Sequence, residues 1–342
     1  MDFGFSDEQQ AIKDTAREML GARSPLAKVR EAAESRSYDE GLWSEIRELG
    51  WPGIAIAEEH GGQGLGTVEL AILCEELGYA CAATPFLSNA AAGLFVEHAG
   101  SNEQRERWLA GIASGEARGA AAFEPRSNDL VIDAEGAAVL VLNDGDQAVL
   151  AEPGEVRIEP VELIDATRSC ARVAASGGEE LPGDVESAAD RAVVALAAEL
   201  TGIAQRAMEI AIDYAKERQQ FGRPIGAYQA VSHRCAQMLY DTEEARSLTY
   251  YAAWTADAEP ETLPLACSMA KARASEAAWH VTNEALQTLG GIGFTWEHDL
   301  QFLLKRAKVG SELLGPARLH RERVASLFGL GAREREPAPV EA

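Results

Sequence analysis

The amino-acid sequence predicts a mostly α protein with a small β domain in the middle of the chain. Apolar residues recur every three or four positions in the first third and again in the last part, which is typical of helices with one buried face. Between about 120 and 182 the pattern changes to short β-branched runs separated by turn sequences, which predicts hairpins. A chain of 342 residues is long enough for two or three packed units.

The N-terminal helical domain is predicted to cover residues 1–119. Ser6 precedes a run of Glu and Gln and then an apolar periodic stretch, so it is a candidate N-cap of the first helix. The glycine-rich bend at 61–66 lacks the GxGxxG spacing of a dinucleotide-binding turn, and no strand–turn–helix pattern surrounds it. We therefore interpret this bend as a connection between two helices.

The predicted β domain covers residues 120–183 and is abbreviated. Its central sequence, AAVLVLNDGDQAVLAEPGEVRIEPVELID, separates β-branched runs by Asn-Asp-Gly-Asp and Glu-Pro-Gly turns. Residues 175–190 are polar and rich in glycine and glutamate, and we interpret them as a linker to the next domain.

The C-terminal domain, residues 184–330, is predicted to be a four-helix bundle. Apolar or small side chains from Val193 to Tyr214 alternate spacings of three and four, which places the start of the first helix near Arg191. Helices with such alanine-rich faces pack closely as antiparallel bundles. The other predicted helices begin near Tyr228, cover 263–289 and cover 317–328. Residues 331–342 have no apolar core, and we expect a disordered tail.

The composition excludes two classes of partner. A formal net charge of −24 repels nucleic acid and anionic membranes, and it would also repel an anionic cofactor unless local cations hold that cofactor. No apolar run is long enough to span a bilayer, and the first ten residues lack the features of a secretion signal, so we expect a cytoplasmic protein. The five scattered cysteines are expected to be reduced core thiols, and we expect no metal site.

Two segments contain residue types suited to binding a large ligand. In RQQFGRPIGAYQAV, Arg218 offers a cationic fork, Phe221 an aromatic surface, Gly222 a free turn and Gln229 a side chain that both donates and accepts. In ALQTLGGIGF, Gln287 precedes Gly290 and Gly291, where two adjacent glycines exceed the need of an ordinary helix end. Each segment alone is more often an ordinary turn between helices.

Taken together, these segments resemble the acyl-CoA dehydrogenase family, and the resemblance runs from Met1 to about Phe328. The N-terminal part is similar in MDFGFSDEQQ and LGWPGIAIAEEHGGQGLG, and the middle part in AAFEP and IDATRS. The most specific motifs are YAKERQQFGRPIGAYQAVSHRCAQM and LGGIGF. The family fold is a helical domain, a β domain and a four-helix bundle, which agrees with the periodicity.

The resemblance implies an FAD flavoprotein that removes hydrogens from the α and β carbons of an acyl-CoA thioester, with an electron-transferring flavoprotein as acceptor. It also implies that the cofactor lies across a subunit interface of a homo- or hetero-oligomer. The implied FAD-binding residues are Arg218 and Phe221 for the diphosphate and ring system, Gln229 beside them, and Gln287, Gly290 and Gly291 for the adenosine-diphosphate end.

The sequence departs from the family at the catalytic base. The family reaction needs a carboxylate that takes the α-proton, and its usual position, before a Gly-Thr pair, is Leu314 here. An alternative family position falls near Ala192. The nearest carboxylates are Asp190 and Glu312, and we interpret both as solvated or capping groups rather than as the base.

The β domain departs as well. FEPRSND (123–129) lacks the glycine of the family's flavin-binding segment, and no tryptophan occurs between Trp108 and Trp254. We therefore predict a short subunit whose catalytic base is lost or supplied by a partner. The sequence does not identify the acyl group of the substrate. The alternatives are a self-sufficient homo-oligomer that uses Asp190 or Glu312, a non-catalytic subunit that binds FAD or CoA, and a flavin monooxygenase or oxidase on the same fold.

Overall fold

The computed structural model describes residues 4–122, 130–143 and 147–330, and it confirms the predicted fold class. An N-terminal helical domain is followed by two small sheets and a C-terminal helical bundle. The α-helices of the described residues are α1 (Asp7–Arg23), α2 (Leu26–Ser35), α3 (Glu40–Glu48), α4 (Thr67–Tyr79), α5 (Phe86–Ala99), α6 (Asn102–Ser114), α7 (Val185–Glu217), α8 (Gln229–Ala258), α9 (Leu263–Leu289), α10 (Leu300–Glu312) and α11 (Ala317–Leu327). The strands are β1 (Gly119–Ala121), β2 (Leu130–Ile132), β3 (Val139–Asn143), β4 (Ala148–Ala151), β5 (Val156–Pro160), β6 (Cys170–Ala175), β7 (Glu179–Glu180), β8 (Gln219–Gln220) and β9 (Arg223–Pro224).

The N-terminal domain packs its apolar helices α4 and α5 against α7 of the bundle. Ser6 caps α1 as predicted, since its side chain accepts a hydrogen bond from the backbone N–H of Gln9. The bend at 61–66 connects a short 3₁₀ helix to α4, as predicted. Gly62 is required there, because a Cβ atom would lie 2.0 Å from the carbonyl oxygen of Ile56.

The strands form two sheets. One has the order β1-β3-β4-β7 and the other β2-β6-β5. The hairpin predicted around Asn-Asp-Gly-Asp is present, since β3 pairs antiparallel with β4. The hairpin predicted at Glu-Pro-Gly was wrong, because a 3₁₀ helix at Pro153–Glu155 leads from β4 into β5, which pairs antiparallel with β6 in the other sheet. Strands β1 and β3 are parallel. The predicted turn at 144–146 and the FEPRSND segment, 123–129, lie outside the described residues.

The interpretation of residues 175–190 as a linker was wrong over most of its length. Strand β7 pairs with β4 inside this segment, and α7 begins at Val185 rather than near Arg191. The helix starts early because the Asp184 side chain accepts a hydrogen bond from the backbone N–H of Ser187, 2.9 Å away. The backbone N–H of Gly183 also donates to the carbonyl of Ala99, which fixes this segment against α5.

The bundle contains five helices in the described chain instead of the predicted four. Helices α7, α8 and α9 pack on one another, α10 packs on α7 and α9, and α11 packs on α9. The predicted range 263–289 agrees with α9, and 317–328 agrees with α11 to within one residue. Helix α10 was not predicted. The predicted tail, 331–342, lies outside the described residues, and among those described no helix is long and apolar enough to cross a membrane.

The five cysteines are free thiols, and four of them are buried. Burial raises the pKa of the Cys81 thiol to about 12 and that of Cys170 to about 11. Both thiols are therefore protonated and unreactive at neutral pH, and they act as small apolar groups.

Candidate functional site

A short hairpin joins α7 to α8 and carries the predicted aromatic residue. Strands β8 and β9 pair antiparallel and leave Phe221 and Gly222 as the two residues of the turn. Both have left-handed backbones, with φ of 51° for Phe221 and 81° for Gly222, as a type I′ turn requires. Glycine adopts this conformation freely, as predicted, whereas phenylalanine does so at a cost of about 1–2 kcal/mol.

The Phe221 side chain gains little from the fold of its own chain. It is 92% exposed, and its ring only meets the edge of the Tyr228 ring, with centroids 6.3 Å apart. An exposed aromatic in a costly backbone conformation does not stabilise a monomer. A contact with a ligand or a second chain explains its position better than packing within the chain does.

Arg218 follows the last residue of α7 and provides an uncompensated charge. Its side chain is exposed, and within the part of the chain that the structure describes it has no ion-pair partner. The sequence has 55 acidic residues against 31 lysines and arginines, so an anionic ligand needs a local cation such as Arg218 to offset the net negative charge. Such a guanidinium is available for bidentate bonds to phosphate.

The two predicted glutamines lie at the same end of the bundle as the hairpin. Gln229 is the first residue of α8, and Gln287 lies in the last turn of α9; both are exposed. An ion pair of 2.5 Å between Arg234 Nε and Glu284 Oε2 joins the first part of α8 to the end of α9. The two helices therefore run antiparallel and bring both glutamines to one surface.

The glycine segment after α9 leaves its backbone open to an approaching ligand. Gly290 ends the helix with φ 63° and ψ −137°, a conformation that only glycine adopts readily. A Cβ atom at Gly290 or Gly291 would meet no atom within 4 Å. Packing within this chain therefore does not require a glycine at 291, whereas close contact with an external ligand does.

This surface fits the predicted cofactor. A free guanidinium suits the diphosphate of FAD, an exposed ring suits a flat heterocycle, and amide side chains and open backbone suit the nucleotide. All of these groups face outward at one end of the bundle, an arrangement compatible with the predicted position of the cofactor across a subunit interface. The hypothesis that Arg218, Phe221, Gln229, Gln287, Gly290 and Gly291 bind FAD remains a prediction.

The predicted base position lies in a loop after α10 and lines a cleft of about 620 Å³. Leu314 is half-buried with a left-handed φ of 56°. Its carbonyl oxygen lies 2.7 Å from His320 Nε2, and the carbonyl of Gly315 accepts a hydrogen bond of 3.1 Å from Lys271 Nζ. The loop is therefore held in place by these hydrogen bonds, but the Leu314 side chain cannot accept a proton.

The two nearby carboxylates are engaged by cations. Asp190 is buried, and both of its oxygens bond to Arg323, at 2.5 and 2.8 Å. Glu312 is half-exposed and pairs with Lys308 at 2.6 Å. The interpretation as a solvated or capping group agrees with Glu312, but it was wrong for Asp190, which is buried inside α7 and paired with Arg323.

His320, which sequence reasoning missed, makes the cleft sensitive to acid. Burial lowers the pKa of His320 to about 4, and burial likewise lowers the pKa of His98 to about 4. A histidine whose folded pKa lies below its unfolded value of about 6.5 contributes stability above pH 6.5, and this contribution is lost as the pH falls towards 4. We expect the unfolding free energy to decrease over this window, with His320 accounting for on the order of 2–3 kcal/mol.

Urea unfolding measured between pH 7 and pH 4 checks this expectation. His320→Gln should flatten the pH dependence, whereas His233→Gln, at an exposed position of α8, should leave it unchanged. Equal slopes for the two variants would contradict the assignment to His320.

A buried network of charges joins the β region to the bundle, and it too was not predicted. Arg306 of α10 contacts Asp165 and Glu199, and Arg168 also contacts Glu199. Burial pushes the pKa of Glu199 up, but the two arginines outweigh burial and hold that pKa below its ordinary value. The network fixes the segment before β6 against α7.

Two family models match this chain. Acyl-CoA dehydrogenase, N-terminal domain, matches residues 6–116, and acyl-CoA dehydrogenase, C-terminal domain, matches residues 185–327. The chain is 35% identical to acyl-CoA dehydrogenase IpdE2 of Mycolicibacterium smegmatis over 318 residues, which cover 92% of this chain and 96% of the relative.

Two solved structures have the same fold. The Tcur3481-Tcur3483 steroid ACAD G363A variant is 28% identical, with a TM-score of 0.87 over 94% of this chain and 98% of that chain. The ChsE4-ChsE5 complex from Mycobacterium tuberculosis is 22% identical, with a TM-score of 0.87 over 97% of this chain and all of that chain. The protein is an oxidoreductase of the class that acts on CH–CH bonds of acyl-CoA. It belongs to the acyl-CoA dehydrogenase family, which confirms the predicted family and its cofactor FAD.

Proposed function

We propose that this chain is the base-deficient subunit of an FAD-dependent acyl-CoA dehydrogenase that works as a hetero-oligomer. One observation carries the proposal: the surface of Arg218 and Phe221 is exposed, and Arg218 has no ion-pair partner in the described part of the chain, while the base position is a leucine. A chain that had lost the activity altogether would have no need of a free Arg218 and a strained, exposed Phe221.

The roles of the two subunits follow from the chemistry of the reaction. The reaction takes a proton from the α carbon and a hydride from the β carbon, and the base must be a carboxylate in a dry site. When bound, FAD accepts the hydride. Leu314 cannot take the proton, and Asp190 and Glu312 are engaged by Arg323 and Lys308. The partner then supplies the base, and this chain supplies Arg218, Phe221 and the glycine segment to the FAD at the interface.

The relatives support a hetero-oligomer and a bulky acyl group. One structure with the same fold is named as a ChsE4-ChsE5 complex, and another as a steroid acyl-CoA dehydrogenase. Together with the abbreviated β domain, the steroid in the second of these names favours a ring-containing acyl-CoA as substrate. We also propose an electron-transferring flavoprotein as electron acceptor and a cytoplasmic location.

The visible spectrum tests the proposal directly. The chain would be purified alone and co-expressed with the neighbouring gene product, and acyl-CoA esters would be added without oxygen. We expect flavin absorbance, and its bleaching by substrate, only in the co-expressed complex. Bleaching by the single chain would contradict the proposal, and a complex without flavin would leave only a structural role.

Variants in the complex locate the base. Asp190→Asn and Glu312→Gln are expected to leave the rate of bleaching within about twofold, because general-base catalysis contributes 10²–10⁴-fold and its loss would be unmistakable. A loss of more than about 100-fold in either variant would place the base in this chain instead.

A further inference from the structure

An exposed aromatic surface continues the glycine segment along α10. Phe294 and Trp296 are 73% and 72% exposed, and Trp279 of α9 is 41% exposed. Lys305 lies over the Trp296 ring at 4.3 Å and Lys308 over the Trp279 ring at 5.4 Å. Since the two lysines are one helical turn apart on α10, these five residues form one surface, which we call the tryptophan face.

The loop that carries Phe294 and Trp296 is held in place by its other groups. Thr295 Oγ1 donates to the carbonyl of Ile292 at 2.8 Å, and Arg30 Nε of α2 donates to Asp299 at 3.0 Å. Both aromatic rings nevertheless point away from the core. Rigid, exposed aromatics lose little entropy on binding, so they are suited to be anchors of an interface.

We propose that the tryptophan face is the protein-contacting part of the interface with the partner dehydrogenase subunit. This inference rests on the proposed function, because it takes the same partner that presents FAD. Phe294 lies three residues after Gly291, so a chain whose nucleotide lies over Gly290 and Gly291 also covers this face. FAD and protein contacts then form one continuous surface.

Charge favours a different chain over a second copy, and the exposed area indicates that the tryptophan face is one part of a larger interface. The exposed parts of the three aromatic side chains amount to on the order of 400 Å², about half of the ~800 Å² that one side of a standard interface buries. Two copies that each carry a net charge of −24 repel one another. Lys305 has no ion-pair partner within the described residues, and it can bind a carboxylate of a partner.

Association of the FAD-loaded complex tests this inference. The double variant F294A/W296A should weaken the Kd for the co-expressed neighbouring chain by at least about 30-fold, as expected for hot-spot aromatics. Phe328→Ala, which removes a 63% exposed ring after α11, is the matched control and should leave Kd within about twofold. Sedimentation velocity gives Kd, and a thermal scan should show unchanged Tm for both variants.

A second variant keeps the test decisive if F294A/W296A folds poorly. Lys305→Glu reverses one charge of the tryptophan face and should weaken association by about tenfold, with a smaller effect at high salt. Wild-type Kd in F294A/W296A and in Lys305→Glu would overturn the inference while the proposed function stands. If the wild-type chain forms no FAD-loaded complex with its neighbour, the proposed function itself fails.

Discussion

Arg306→Met is expected to destabilise the protein by about 3–5 kcal/mol. The Arg306 side chain is 2% exposed, and its guanidinium bonds to Asp165 Oδ2 at 2.7 Å, to Glu199 Oε1 at 3.1 Å and to the carbonyl of Ala82 at 3.2 Å. Methionine replaces the aliphatic part of the arginine side chain but has no hydrogen-bond donors. The substitution therefore leaves two buried carboxylates with one fewer cation, and it removes a hydrogen-bond donor from the carbonyl oxygens of Ala82 and Thr167.

The loss of stability in Arg306→Met should come from the buried carboxylates rather than from lost packing. Burial alone would raise the pKa of Glu199, and Arg168 and Arg306 together keep that pKa low. In the wild type this lowered pKa contributes stability above pH ~4.3, the unfolded value, and the contribution is lost as the pH falls further. Without Arg306 less of that contribution remains. The difference in unfolding free energy between the variant and the wild type should therefore become smaller at acid pH.

Urea unfolding of the purified chain at pH 7 and at pH 3.5, which is below the unfolded pKa of ~4.3, measures both effects. The control is Arg318→Met, because Arg318 is an exposed arginine that pairs with Glu322 one turn along α11. That pair should contribute at most about 0.5 kcal/mol. If Arg306→Met and Arg318→Met unfold at the same urea concentration, the network is neutral for stability.

The helices could be predicted where their buried faces are apolar. Helix α9 has buried small and apolar residues at regular spacing, and its predicted range agrees with the structure. Helix α10 was missed because its buried face includes Arg306, which a reading of apolar periodicity counts as exposed. The early start of α7 was missed because its first turn is polar and is stabilised by the Asp184 cap.

Only those parts of the site that lie in sequence motifs could be predicted. The sequence identifies Leu314 as a position without a proton acceptor, and it groups the candidate FAD-binding residues. It does not show that Arg323 binds Asp190, because 133 positions separate them and the packing of both α7 and α11 on α9 brings them together. The exposure of Phe221 and Trp296 is likewise a property of the folded chain, since aromatic residues in a sequence are more often buried.

Arg218→Met is expected to weaken FAD binding by the complex about 10- to 150-fold, since a charge-assisted hydrogen bond contributes about 1.5–3 kcal/mol. The substitution removes a guanidinium that has no ion-pair partner within the described chain. The fold should therefore not be affected, and the Tm of the chain without cofactor should stay within about 2 °C of the wild type. The measurement is the ratio of flavin to protein after gel filtration, together with titration of the FAD-free complex.

Arg223→Met is the matched control, because Arg223 lies in the same hairpin with the same charge. Its guanidinium lies over the Tyr228 ring at 4.0 Å, so its loss changes net charge equally but removes no predicted phosphate contact. Arg218→Lys should be intermediate, since lysine keeps the charge without the fork that binds phosphate with two hydrogen bonds. If Arg218→Met retains FAD as tightly as Arg223→Met, only general attraction acts at this surface, and the FAD phosphates are bound elsewhere. A graded series of wild type, lysine and methionine would instead require a specific contact between Arg218 and the diphosphate.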